Sequence, residues 1–173
     1  MSASPAVPRN TAAVVAMKTP YVEVNLDARS YGTDPIDPLD KANHSTHAYF
    51  TIVWRGVEHE VSVESKWYGH MGEWWIIPRY ARPGLTEAAS KRVREAVTAP
   101  MLEWIESPAY GESVKASIAS KIRREIADER YSTDGARRMM ARYGKHLDPE
   151  QVATLTAAIE ALEAFLATLK ACE

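Results

Sequence analysis

The pair Arg55-Gly56, set between two runs of alternating apolar residues, constrains this chain more than any other feature. As a two-residue hairpin loop it pairs Trp54 with Val57, Ile52 with His59, Phe50 with Val61 and Ala48 with Val63. Directly paired residues share a face, and side chains alternate along each strand. One face therefore carries Ala48, Phe50, Ile52, Trp54, Val57, His59, Val61 and Val63. The other carries Tyr49, Thr51, Val53, Glu58, Glu60 and Ser62. A slip of one residue would mix the two sets, so the pattern specifies the register. Gly at the second loop position suits a turn that needs positive φ, whereas Arg at the first is less usual than Asn or Asp.

Flanking segments extend the same reading. Tyr21 to Leu26 alternates Val22, Val24 and Leu26 against Tyr21, Glu23 and Asn25, which predicts a half-buried strand. Pro20 removes an amide donor at its start and favours a sheet edge. Glu73 to Pro78 predicts a strand after the hairpin, with Trp74 and Ile76 on one face and Trp75 and Ile77 on the other. Apolar residues on both faces predict a central or doubly covered position. Trp67, Tyr68, Trp74 and Trp75 form a candidate partner-binding aromatic surface, to be weighed against a place in the core.

Beyond residue 85 the period becomes helical. Thr86 is a plausible N-cap, with Glu87 favoured in the first turn. Val93 and Val97 mark a buried stripe, which Met101, Trp104 and Ile105 continue. Pro100 is expected to kink or end that helix. Val114, Ile118, Ile122 and Ile126, each four apart, predict an amphipathic helix over 113–131, and Ser107-Pro108 ahead of it reads as a cap followed by a first-turn proline, with Gly111 leaving the start open. Ser132 to Gly135 interrupts it, and a short helix over 136–143 closes at Gly144. Asp148, Pro149 and Gln151 open a last helix. Its Val152, Leu155, Ile159, Leu162, Leu166 and Leu169 form a heptad seam. The seam packs on its own domain or forms a homodimer through this C-terminal helix.

The expected class is α+β: an N-terminal antiparallel β-meander of three to four strands packed against a helical C-terminal half of four to five helices. Residues 1–19 read as a flexible arm, 20–107 as the meander with the first helices, and 108–173 as a helical region continuous with it. A chain of 173 residues buries enough surface to fold without a disulfide or metal. The lone Cys172 excludes an internal disulfide and suggests a reducing compartment. Absence of an apolar run near ~18 residues and of a signal-peptide pattern leads to the expectation of a cytoplasmic protein without membrane contact.

Chemistry is sparse. The chain carries no GxSxG, HExxH or CxxC motif, no Gly-rich phosphate loop and no dinucleotide fingerprint, so no catalytic residue or cofactor is assigned. The expectation is a non-enzymatic interaction or regulatory protein with a protein partner, of the kind that a phage or mobile element carries as an accessory or inhibitor. A nucleic-acid-binding protein is the first alternative. Residues 66–146 hold 15 basic against 10 acidic side chains. Helices 113–131 and 136–143 would form a helix-turn-helix with Arg137, Arg138 and Arg142 on the second helix. Lys121, Arg123, Arg124, Arg130 and Lys145 would reach phosphates. Interleaved Glu125, Asp128, Glu129 and Asp134 argue for a solvated face instead. The second alternative is a small metal-dependent enzyme using Asp34, Asp37, Asp40, His44 and His47 in the turn-rich stretch before the hairpin. Asp before Pro is equally a routine turn starter.

Overall fold

A computed structural model describes residues 11–26, 37–80 and 86–171. Among these residues the fold is α+β, with one four-stranded antiparallel sheet and four α-helices. Two compact units emerge: Met1–Glu23 with His44–Tyr110, and Val24–Asn43 with Gly111–Glu173.

The first unit holds the sheet, in the order β1 (Ala13–Val24), β2 (His44–Trp54), β3 (Val57–Tyr68) and β4 (Glu73–Tyr80). β2 and β3 pair in the predicted register from Trp54 opposite Val57 back to Ser45 opposite Lys66. Arg55 at φ 52° and Gly56 at φ 79° are both left-handed. That is the signature of a type I′ turn, whose twist matches that of the strands. Holding Arg55 there costs roughly 1–2 kcal/mol. Against this stand Phe50, Ile52, Val61 and Val63, all buried on one face and each stabilising by about 1.5–3 kcal/mol. The face pattern therefore overrides the turn residue.

α1 (Glu87–Ile105) packs on β4 and β2. Its buried residues Ala89, Val93, Val97, Met101 and Trp104 recur every four or three positions. The Thr86 hydroxyl accepts from the Ala89 amide at 3.3 Å, as a cap should. Pro100 does not end this helix, contrary to one of the two expectations for it. A mid-helix proline costs about 3 kcal/mol, and burying Met101, Trp104 and Ile105 beyond it contributes more.

Two further strand expectations need correction. β1 starts at Ala13, so it takes in residues 13–19 of the presumed arm. Those residues lack a clean alternation of burial, and Thr19 stands at φ 46°, so periodicity does not reveal them as a strand. Residues 1–10 of the arm lie outside the described residues. β4 is an edge strand, not a central one.

The second unit contains most of α2 (Pro108–Asp128), α3 (Asp134–Tyr143) and α4 (Pro149–Ala171). α2 starts five residues before the predicted 113, with Pro108 in its first turn. Val114, Ile118 and Ile122 are buried as the stripe requires, and Ile126 is half-buried. The described ends of the long connection are tied to these helices and to each other. The Val24 amide donates to Ser117 Oγ at 2.9 Å, the Tyr143 hydroxyl donates to the Leu26 carbonyl at 3.4 Å, and the Asn25 amide donates to the Asn43 carbonyl at 2.8 Å.

A carboxylate caps α3: Glu129 Oε1 accepts from the Ala136 amide at 3.0 Å, where negative charge suits the helix dipole. A Cβ at Gly135 would collide with the Glu125 and Glu129 carboxylates, so glycine permits this approach. α4 opens as predicted, with the Asp148 amide donating to Gln151 Oε1 at 3.2 Å. By length and composition α4 is apolar enough to cross a membrane, which corrects the expectation that the chain holds no such stretch. Its many alanines, read in the sequence as helix formers, are also apolar.

Candidate interaction surface

The sheet sorts the four candidate aromatics into two pairs. Trp67 lies opposite Trp74, and the rings meet edge to face at 5.6 Å on the side of the sheet that α1 covers. Trp74 also meets Tyr110 at 6.1 Å, and Tyr110 meets Trp104 at 5.9 Å. Trp104 is buried and Trp67, Trp74 and Tyr110 are half-buried, so these rings form an aromatic cluster within the first unit. Burial pushes the Tyr110 phenol up to about 12.

Tyr68 and Trp75 point the other way. Their rings lie 4.7 Å apart, and Trp75 is 44% exposed. The four candidates therefore do not form one surface. Residues two apart on a strand share a face, so Trp67 cannot join Tyr68, nor Trp74 join Trp75.

The face that holds Tyr68 and Trp75 carries two more aromatics, neither of them among the four sequence candidates. Tyr21 is 43% and Tyr49 40% exposed there, and the Tyr21 ring stacks on His47 at 5.0 Å. Both were legible in principle, since Tyr21 opposes Val22 and Tyr49 opposes Phe50 in the alternation. Joining Tyr21 to Tyr49 required carrying the face assignment from the hairpin to its neighbouring strand.

Acids frame this open face. Glu64 on β3 meets Lys66 Nζ at 3.1 Å and Arg79 Nη2 at 3.2 Å. Burial acts to raise its carboxyl, but hydrogen bonds and charge from Lys66 and Arg79 outweigh burial and hold it below the usual range. A cavity of about 190 Å³ lies here, lined by residues that include His47, Tyr49, Ser62, Glu64 and Arg79. Among the described residues the buried His47 Nε2 has no hydrogen-bond partner, and Glu23 Oε2 stands 3.9 Å away. Glu73 accepts from the Trp75 indole at 2.9 Å.

The Asp/His set does not converge. Asp34 lies outside the described residues. Asp37 Oδ1 accepts from the Leu39 amide and Asp40 Oδ1 from the Ala42 amide, both at 2.9 Å, which are ordinary Asx turns. His44 and His47 are three apart on β2 and so face opposite sides of the sheet. His44 Nδ1 is hydrogen-bonded to the Tyr110 hydroxyl, whereas His47 lies against Tyr21. Among the described residues no group of three His, Cys, Asp or Glu side chains gathers as a metal site.

The basic set is partly engaged. Arg137 is bound in bidentate fashion to Glu163 of α4, with both contacts at 2.5 Å. Lys121 is half-buried and interacts within the chain. Arg123, Arg124, Arg130, Arg138, Arg142 and Lys145 are exposed.

The heptad seam is divided. Leu155 and Ile159 are each 1% exposed, so they pack within the chain and cannot meet a second copy. Val152, Leu162 and Leu166 are half-buried and Leu169 is exposed. The exposed set also contains Phe165, which lies outside the seam.

Compared with protein-family models, curated proteins and solved structures, the chain matches none.

Proposed function

We propose that this chain is a non-enzymatic interaction protein that docks a macromolecular partner on the open face of its sheet. The observation that supports this is the pairing of Tyr68 with Trp75 on a face where Tyr21 and Tyr49 also stay exposed. Large aromatics that are rigid and half-desolvated supply contact area at low entropic cost, and they dominate binding energy at protein interfaces. The acids Glu23, Glu58, Glu60, Glu64 and Glu73 outnumber Lys66 and Arg79 on this face, which favours a protein over a nucleic acid there. The test is affinity capture from the native host, with nuclease treatment, using the natural chain and a Tyr68→Ala/Trp75→Ala variant. A nuclease-resistant partner that the folded variant fails to hold supports the reading. Equal capture by both chains removes it.

A second reading, nucleic-acid contact through α2 and α3, has its own observation. Glu129 caps α3, and Glu125 stands beside it at Gly135. Two of the interleaved acids thus face inward, while Arg123, Arg124, Arg138, Arg142 and Lys145 stay exposed around them. A mobility-shift titration at two salt concentrations tests it, and absence of binding at low salt rejects it.

A further inference from the structure

The two edges of the sheet are built differently. Edge strands expose unpaired backbone groups, and proteins blunt them with lysine, proline or a local distortion. β1 has all three in succession, at Lys18, Thr19 with its φ of 46°, and Pro20. β4 reads Glu73-Trp74-Trp75-Ile76-Ile77-Pro78-Arg79, and the four residues between Glu73 and Pro78 carry neither charge nor proline. Among the described residues no strand lies beyond it. A groove of about 490 Å³ runs there, lined by Trp74 and Ile76 from one face, Trp75 and Ile77 from the other, and Arg94 and Thr98 of α1. Side chains from both faces can line one groove only where it opens across the outer edge of the strand.

About Ile76, β4 carries two apolar residues on each side and opposite charges three positions away, Glu73 before it and Arg79 after it. We propose that two copies of this chain pair edge to edge through β4, antiparallel and centred on Ile76. In that register Ile76 meets its counterpart on the two-fold axis. Trp75 lies opposite Ile77 of the second copy, Trp74 opposite its Pro78, and Glu73 opposite its Arg79. Every pair joins residues of the same face, as an antiparallel ladder requires, although Pro78 brings no amide donor to its two pairs with Trp74. Opposite charges close both ends of the ladder. A parallel pairing would instead set Glu73 beside Glu73, and a shift of two residues in either direction would leave both charge pairs unmade. The arrangement is isologous and therefore closes at a dimer, with no edge left to propagate through β4. It also joins the two Tyr68–Trp75 patches into one continuous open face of eight strands.

Light scattering and sedimentation of the full chain over a concentration series test this. The natural chain is expected to dimerise. Arg79→Glu and Glu73→Arg each set two like-charge pairs in the interface and should raise the dimer dissociation constant by about tenfold or more. Combining them restores the complementarity and should return the constant to within a few-fold of its original value. That recovery separates the interface from the Arg79–Glu64 ion pair inside each copy, which the combined variant does not rebuild. Circular dichroism verifies that each variant folds. A chain that stays monomeric at the highest concentration reached overturns the proposal, and so does a combined variant without recovery. A dimer indifferent to both single substitutions but lost on Phe165→Glu would place the interface on α4 and overturn it equally.

Discussion

The Tyr110 hydroxyl is hydrogen-bonded to Nδ1 of His44, which ties the first turn of α2 to the first residue of β2, 66 positions away. His44 is buried, and Tyr110 stands among Trp74 and Trp104. Tyr110→Phe removes this partner from a buried imidazole and is expected to destabilise by about 1–3 kcal/mol. Urea denaturation measures it, and an unchanged midpoint would show the hydrogen bond to be inconsequential.

The same phenol gives the fold an alkaline signature. Its pKa is 10.0 in the unfolded chain and about 12 in the folded one, because burial disfavours the phenolate. Between these values the unfolded chain has released a proton that the folded chain retains. This contribution is complete below pH 10 and is lost as pH rises through about 12. Denaturation midpoints across that window should fall less steeply in Tyr110→Phe than in the natural chain.

Glu163 supplies the acid counterpart. Hydrogen bonds from Arg137, then from Thr133, hold its carboxyl at about 2 against an ordinary 4.5. A depressed carboxyl stabilises above the unfolded value and loses that contribution as pH falls through the folded one. Arg137→Ala should therefore destabilise above pH 4.5, modestly because the pair is largely solvated, and its deficit relative to the natural chain should shrink as pH falls toward about 2. A pH titration by circular dichroism that superimposes on the natural chain would contradict this.

At the hairpin, backbone conformation can be tested without side-chain packing. Nothing lies within 4 Å of a Cβ added at Gly56, yet its φ is 79°. Gly56→Ala should cost roughly 1–2 kcal/mol from the left-handed geometry alone. Arg55→Asn should be neutral or stabilising by about 0.5 kcal/mol. Asn tolerates this region, and the cation–π interaction of Arg55 with Trp54, which the substitution removes, is an exposed one. Thermal melts of the two variants should thus move in opposite directions, or only the first should move.

α4 should respond on one side only. Ile159→Ala removes a fully buried side chain and is expected to cost about 2–5 kcal/mol. Phe165→Ala, at 57% exposure, should fall within about 0.5 kcal/mol. Comparable losses at both positions would mean that Phe165 is covered in solution.

The hairpin register was fully legible because each strand's period-2 pattern is local: Phe50 and Val61 state their face without reference to any other element. Caps at Thr86 and Asp148 were legible for the same reason, since their bonds span three residues. The candidate surface was half legible. Tyr68 and Trp75 could be named, but their separation from Trp67 and Trp74 needed the β3–β4 register.

What the sequence alone determined, then, are features whose partners lie a few residues away: the faces and register of the β2–β3 hairpin, and the caps of α1 and α4. Tertiary structure decided what depends on the neighbour alongside. It made β4 an edge, set His44 and His47 on opposite sides of the sheet, and buried Leu155 and Ile159 within the chain while leaving Phe165 outside. An apolar pattern specifies that a face will be covered. What covers it depends on contacts between residues far apart in the chain, which no local period encodes.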